Sequence, residues 1–418
     1  MVRTKNKIDI YVFADWNFIE GPLLIGILSA HIGKGRKSFS FAYDKLWLKE
    51  MKDNAFDPEI QFFSGAQYPN NKENFGVFTD SMPDTWGRTL MKRREFQLAK
   101  AEKREARNLY DIDFLLGVYD QSRMGALRFK TEIDGAFLDE NDLNPTPPWS
   151  KLGELQNAAK LFEYDRENAA IKEYLGILIA PGSSLGGARP KANILDSNNN
   201  DLWIAKFPSK TDTIDKAAWE YLAYKLALKC KIEMSECRLE KIGSKFHTFL
   251  TKRFDRKNGK RVHFSSAMTM TGNTEDSIKE NTASYLDLVE VIESGAYVKA
   301  NLHQLWKRIV FNIAISNTDD HLRNHGFILK PEGWILSPAY DLNPSIDKTG
   351  LSLNIDSDNN ELDFELAKSV GIYFRLNESE MDSIMNEVLH AVQTWKEVAK
   401  SLGISRSEME IMKNAFRV

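Results

Sequence analysis

Cysteine is almost missing from this sequence. Among 418 residues only Cys230 and Cys237 occur, and their spacing fits neither paired zinc ligands nor a C-x-x-C redox pair. Both read as buried thiols of a reducing compartment, which excludes a disulfide framework. Long apolar runs are missing too. Nowhere do roughly 18 uninterrupted apolar residues occur, as a membrane span requires, and the basic start "MVRTKNKIDIYVF" lacks the apolar stretch of a secretory signal. A cytoplasmic protein without membrane contact is expected. Excess positive charge is also absent: the net charge is −3, so any nucleic-acid contact has to be local or indirect. No internal repeat or low-complexity tail is present.

What is there describes an ordinary folded protein, 42% hydrophobic and 28% charged, with nine tryptophans. The length exceeds what one core usually supports, so at least two domains are expected. The first, residues 1–145, opens with the strand-like runs "KIDIYVF", "GPLLIGILSA" and "KSFSFAY" and is expected to be α+β. Residues 85–107 are helical in composition, with seven Lys or Arg against three Glu between Lys92 and Arg107. Such a run is a solvated helix face or a phosphate-contacting surface. A boundary falls in "NPTPPWS", residues 144–150, because its prolines can continue neither a helix nor a central strand.

A second segment, 150–260, begins with the helical "WSKLGELQNAAKLFEY" and passes through the Gly-rich "GSSLGGARPK". It then enters the hairpin-like "NILDSNNNDLWIAKF", whose second strand delivers Lys206. Trp219, Leu222, Ala223, Leu226 and Ala227 recur at helical spacing and mark a buried face, with Glu220 beside it. "FHTFLTKRFDR" reads as another strand. From Ala283 the third segment, 261–418, is expected to be mostly helical, with a stripe of Leu302, Leu305, Trp306, Ile309 and Ile313 that stops before Thr318.

After "TDDHLRN" come "HGFIL", a turn with Pro331 and Gly333, and "WILSPAYD", a strand, turn and strand. A hairpin returns its ends to one place, so Asn324 and Asp341 are expected to meet, and their oxygens suit Mg²⁺. Asp319 and Asn324 have the D-x-x-x-x-N spacing of a kinase catalytic loop, in which the Asp takes the proton of the attacking hydroxyl. Asp320 is one residue out of register and, like Arg323, reads as support or as solvent-facing. Plainer readings exist: Thr318, Asp319 and Asp341 as turn caps, or His321 and His325 as a metal pair, which needs a helix that Gly326 opposes. The order of elements favours the kinase reading. Gly-rich loop, hairpin, strand Lys, helix Glu, hinge strand, helical segment, catalytic-type loop, hairpin and Asp follow one another as in a kinase that binds ATP in a cleft.

These stretches, "SSLGGARPK", "WIAKF", "KRFDR", "NTDDHLRNHGFIL" and "SPAYDLNPS", with "DSMPDTWGR" and "RMGALRF" in the first domain, resemble the HipA-like toxin kinases, serine/threonine kinases of type II toxin–antitoxin modules. The resemblance implies an α+β, two-lobed protein-kinase-like fold, with a small β-rich N-lobe and a helical C-lobe, behind an N-terminal α+β domain. It implies Asp319 as catalytic base and Asn324 and Asp341 as Mg²⁺ ligands. Lys206 would hold the ATP phosphates with Glu220 as partner. Gly186, Gly187, Ala188 and Lys191 would belong to the nucleotide loop, and Lys252, Arg253 and Phe254 to the hinge that meets adenine. His321 would orient the catalytic loop beside the nucleotide. Ser184, with Ser183 as the alternative, stands where the family carries an autophosphorylated serine. The implied partners are a small helix-turn-helix antitoxin, DNA only through that antitoxin, and a protein substrate among translation components such as an aminoacyl-tRNA synthetase. "VHFSSAMTM" departs from the acidic pattern of the best-known member and leaves the substrate open. Two other readings stay beside this one: an inactive kinase-like scaffold for an antitoxin, and a small-molecule or lipid kinase on the same fold.

Overall fold

The alternating runs at the start of the chain form strands, as expected. In the computed structural model, which describes residues 7–32, 37–51, 56–138, 146–164, 178, 187–280 and 282–418, they are β1 (Lys7–Ala14), β2 (Leu23–Ile32) and β3 (Lys37–Tyr43). A short strand β4 (Leu127–Lys130), overlapping the end of "RMGALRF", completes an antiparallel sheet of order β3-β2-β1-β4. One face buries a cluster of aromatic rings, Phe41, Phe56, Phe78 and Phe129, with neighbouring centroids 5.5 to 6.2 Å apart. The chain groups into two compact units, Met1–Ile204 with Asp255–Ser265, and Ala205–Phe254 with Ser266–Val418.

In the first unit the basic stretch is the helix Thr85–Ala101, started by Asp84, whose carboxylate accepts from the backbone N–H of Gly87 at 2.8 Å. Capping of this kind satisfies a donor that the helix itself leaves unpaired. Part of the basic run is neutralised internally. Glu95 is buried and accepts from Arg104 Nη1 at 2.5 Å and from Arg107 Nη2 at 3.0 Å. The remaining cations, among them Lys92 and Arg94, form an exposed face. The prolines at the expected boundary continue no sheet strand of their own: Pro147 accepts from the Leu195 N–H and Pro148 makes an isolated bridge to Leu195. Residues 144 and 145 of that boundary lie outside the described residues. The Asn-rich hairpin forms between Lys191–Asp196 and Asp201–Lys206, with Asn200 in the left-handed region at φ 59°, a conformation Asn tolerates better than most residues.

The second unit is built on one apolar core. The helix Lys216–Lys229 buries Trp219, Leu222, Ala223, Leu226 and Ala227, as its periodicity predicts. The helix Val298–Ala314 buries Leu302, Leu305, Trp306, Ile309 and Ile313 and stops at Ala314, four residues before Thr318. Gly326–Lys330 and Gly333–Leu336 pair antiparallel, Phe327 opposite Leu336 and Lys330 opposite Gly333. Between Leu336 and Phe364 the chain is irregular, held by isolated bridges such as Gly350 to Glu361, where a mostly helical segment was expected. Helices Glu378–Gln393, Trp395–Ser401 and Arg406–Met412 close the unit. Among the described residues no helix is long and apolar enough to cross a membrane. Cys230 and Cys237 are buried, free thiols, and burial pushes both up to about 12.

Candidate active site

Lys206 ends its strand with a buried ammonium that contacts two carboxylates at once, Glu220 Oε1 at 2.6 Å and Asp341 Oδ1 at 2.6 Å. Burial works to lower its pKa, but the negative charges of Asp341 and Glu220 outweigh burial and hold it charged above the ordinary lysine range. Glu220 sits on the Lys216–Lys229 helix, itself only 6% exposed. Asp341 follows the hairpin and is held in the left-handed region at φ 58°. The side-chain amide of Asn343 donates to its Oδ1 at 2.9 Å. Strand lysine, helix glutamate and post-hairpin aspartate thus form one cluster, which includes the expected pairing of Lys206 with Glu220.

The loop after Ala314 presents Asp319 to solvent, with its side chain 70% exposed and Lys348 Nζ 3.6 Å from Oδ1. The backbone carbonyl of Asp319 accepts from the side-chain amide of Asn324 at 2.9 Å and from the His321 N–H at 3.0 Å. Asn324 is buried, and that bond uses its amide nitrogen, not its carboxamide oxygen. His321 has an enclosed Nδ1 that no group among the described residues satisfies. The two ends of the hairpin are tied by Tyr340, whose hydroxyl donates to the Arg323 carbonyl at 2.9 Å. Tyr340 and Arg323 are the residues immediately before Asp341 and Asn324. The ring of Tyr340 also stacks on Phe254, with centroids 5.7 Å apart, so the expected hinge residue reaches the same hairpin. Lys252, which ends the strand Thr248–Lys252, is anchored through its N–H to the Glu236 carbonyl at 2.8 Å, and Arg253 is buried.

Of the two readings of Asp320, support rather than solvent exposure fits its surroundings. It is 1% exposed and its Oδ2 accepts from the Tyr285 hydroxyl, from Asn312 Nδ2 at 2.6 Å and lies 2.9 Å from His325 Nε2. Burial, first, and the Asp320 charge hold the Tyr285 hydroxyl well above its ordinary range. Asn312 in turn accepts at Oδ1 from Asn317 at 3.0 Å, and Asn317 Oδ1 accepts from the Asn343 N–H at 3.3 Å. This chain of amides connects Asp320 to the residue that holds Asp341. Sequence reasoning missed it, although the doubled Asp after a helix stripe was a signal: one carboxylate faces out and its neighbour faces in. Arg323, exposed and paired with Glu275 at 2.7 Å, does match the solvent-facing reading. His321 and His325 flank the short turn Leu322–Asn324 in extended conformation and share no helix, so the i, i+4 pairing that a His321–His325 metal pair needs does not form.

Of the residues expected around the nucleotide, Ser183, Ser184 and Gly186 lie outside the described residues. Gly187 and Ala188 are exposed. Lys191, in the first unit, is not an open phosphate ligand: it is 2% exposed, and its ammonium sits 2.8 Å from Asp84 Oδ2 and 2.9 Å from the Gly187 carbonyl. Burial raises the Asp84 carboxyl above its ordinary value even though Lys191 pulls the other way. Trp86 Nε1 donates to the Lys191 carbonyl at 3.0 Å. Asp84 and Trp86 of "DSMPDTWGR" therefore meet Lys191, which also ties the Gly187 carbonyl.

Among the described residues no three His, Cys, Asp or Glu gather as a metal cage. One carboxylate and one carboxamide fit the alternative, a Mg²⁺ held by few protein oxygens and completed by water and phosphate. The family of HipA-like C-terminal domains matches residues 183–395. Over 97% of this chain and 94% of the other, the fold aligns with a TM-score of 0.68 and 17% identity to a solved structure described as the Shewanella oneidensis MR-1 toxin–antitoxin system HipA, HipB and operator DNA complex. A second solved structure, the Helicobacter pylori proinflammatory kinase CtkA, aligns with a TM-score of 0.34 and 13% identity, over 51% of this chain and 94% of that one. No curated protein matches. The fold is protein-kinase-like, and since the matched stretch takes in Lys206, Glu220, the Asp319 loop and Asp341, the chain belongs to the HipA-like C-terminal domain family.

Proposed function

We propose that this protein is an ATP- and Mg²⁺-dependent serine/threonine protein kinase, a HipA-like toxin that works in the cytoplasm. The observation that carries the reading is Lys206 bridging Glu220 and Asp341 at 2.6 Å each, beside a loop that exposes Asp319 and buries Asn324. Lys206 binds nucleotide phosphate oxygens and Glu220 holds the ammonium in place. Asn324 and Asp341 hold Mg²⁺, which when bound neutralises charge on the phosphates. Asp319 accepts the proton of the attacking serine or threonine hydroxyl at its exposed carboxylate, a role worth roughly 10² to 10⁴ in rate. His321 offers its enclosed Nδ1 to order the loop or the bound nucleotide. Lys252, Arg253 and Phe254 line the adenine side, and the resemblance assigns Gly186, Gly187 and Ala188 to the nucleotide loop. Ser184, or Ser183, takes up phosphate in autophosphorylation.

The residues group as 1–145, 150–260 and 261–418 in function: accessory domain, nucleotide-binding lobe and catalytic lobe. By analogy with the complex that the Shewanella protein forms, a helix-turn-helix antitoxin is the partner and brings DNA indirectly. The substrate is a translation component of the aminoacyl-tRNA synthetase kind. Binding measurements separate the roles. Asp341→Ala is expected to lose Mg²⁺-dependent ATP binding, whereas Asp319→Asn is expected to bind ATP as the native protein does. Calorimetric titration that finds native-like Mg²⁺-dependent binding in Asp341→Ala would sink the metal-ligand assignment.

A further inference from the structure

The last segment of the chain touches both halves of the candidate site from behind. Glu408, on the Arg406–Met412 helix, has one oxygen, Oε2, that accepts from the backbone N–H of Asp215 at 3.1 Å and from the indole Nε1 of Trp219 at 3.2 Å. Asp215 is the N-cap of the Lys216–Lys229 helix, and Trp219 immediately precedes Glu220. Successive residues of an α-helix are turned by about 100°, so fixing the azimuth of Trp219 fixes that of Glu220. The indole is 1% exposed and rests against Trp395 and Phe416, at centroid distances of 6.3 and 6.1 Å; those two rings stack on each other at 4.3 Å and 6°.

One residue further, Arg417 reaches the catalytic-type loop. Its N–H donates to the Ala314 carbonyl at 2.8 Å, the end of the Val298–Ala314 helix where carbonyls lack an internal partner. Its Nε donates to Ser316 Oγ at 3.2 Å. Ser316 is a non-glycine residue in the left-handed region, at φ 50°, and its carbonyl accepts from the Ser345 N–H at 3.2 Å. It therefore sits at the turn that sets the direction of Asn317 to Asp320 and joins it to the segment behind Asp341.

We infer that residues Glu408 to Arg417 are a positioning element for phosphoryl transfer, with Glu408 fixing the helix that aims Glu220 at Lys206 and Arg417 fixing the loop that carries Asp319. The functional part rests on the kinase reading above; the mechanical link does not. Glu408→Ala is expected to raise the nucleotide KM by about tenfold, the order of a lost charge-assisted hydrogen bond, and Glu408→Gln, which keeps an acceptor oxygen, to restore it. Combined with Glu220→Ala, Glu408→Ala should add nothing further, because both act through one ion pair. Arg417→Ala should lower kcat at unchanged nucleotide KM. Hydrogen exchange gives a readout independent of activity: amides of Asp215 to Trp219 should exchange faster in Glu408→Ala, with those of Gly326–Lys330 unchanged. Trp219→Phe, which keeps an aromatic side chain and loses the indole donor together with the second ring, serves as the second variant if Glu408→Ala folds poorly and should give the same pattern. Multiplicative effects of Glu408→Ala and Glu220→Ala, or unchanged exchange at Asp215 to Trp219 in both variants, would overturn the inference. A native chain that transfers no phosphate would overturn the kinase reading alone, since the exchange arm still decides the link.

Discussion

Two adjacent aspartates show how finely position divides labour. Asp319 keeps its carboxylate in water, where a substrate hydroxyl can reach it, while Asp320 accepts from Tyr285 and Asn312 and meets His325 in the interior. Removing Asp320 leaves several buried donors without an acceptor, a loss that costs about 3 kcal/mol or more. Asp320→Ala is therefore expected to lower the urea midpoint markedly, and Asp319→Ala to leave it nearly unchanged; equal midpoints for the two variants would contradict the division. Glu95 carries a pH signature. Hydrogen bonds from Arg107 and Arg104 hold its carboxyl at about 2 in the fold, against an ordinary 4.5. Because the folded value is the lower one, the stabilisation is present above about pH 4.5 and is lost as pH falls towards about 2. Native protein should lose stability across that window faster than Glu95→Gln, as read by denaturant midpoints, and parallel pH profiles would contradict the pairing.

Among the elements, the hairpin Gly326–Leu336 was the most legible in the sequence. Apolar strands flank Pro331 and Gly333, and its return brings Tyr340 onto the Arg323 carbonyl. Gly333 stands at φ 129°, a region that side-chain-bearing residues rarely enter. Gly333→Ala should cost about 1–3 kcal/mol in a urea titration, although a Cβ there would meet nothing closer than 3.5 Å. Native-like stability would mean that the turn can relax. Buried helix faces were legible for the same reason, a period that needs no partner to be seen. The Asp320 network and the Glu408 contact were not, because Tyr285 lies 35 residues from Asp320 and Asp215 lies 193 from Glu408, and no local pattern encodes such pairings. The buried pairing of Lys191 with Asp84 was not legible either, because the two lie 107 residues apart.

At the scale of the whole molecule, family membership and a protein-kinase-like fold rest on the matched stretch 183–395 and on an alignment along 97% of the chain. The central claim is chemical: that the cluster of Lys206, Glu220 and Asp341 serves transfer of phosphate to a protein hydroxyl with Asp319 as base. Its most direct test is the intact mass of the purified protein after incubation with ATP and Mg²⁺, native beside Asp319→Asn. The account predicts that the native chain gains the mass of one phosphate, located at Ser184 or Ser183, and that Asp319→Asn gains none. Equal phosphate uptake by both would contradict the base assignment, and no uptake by the native chain on itself or on any added protein would contradict the kinase.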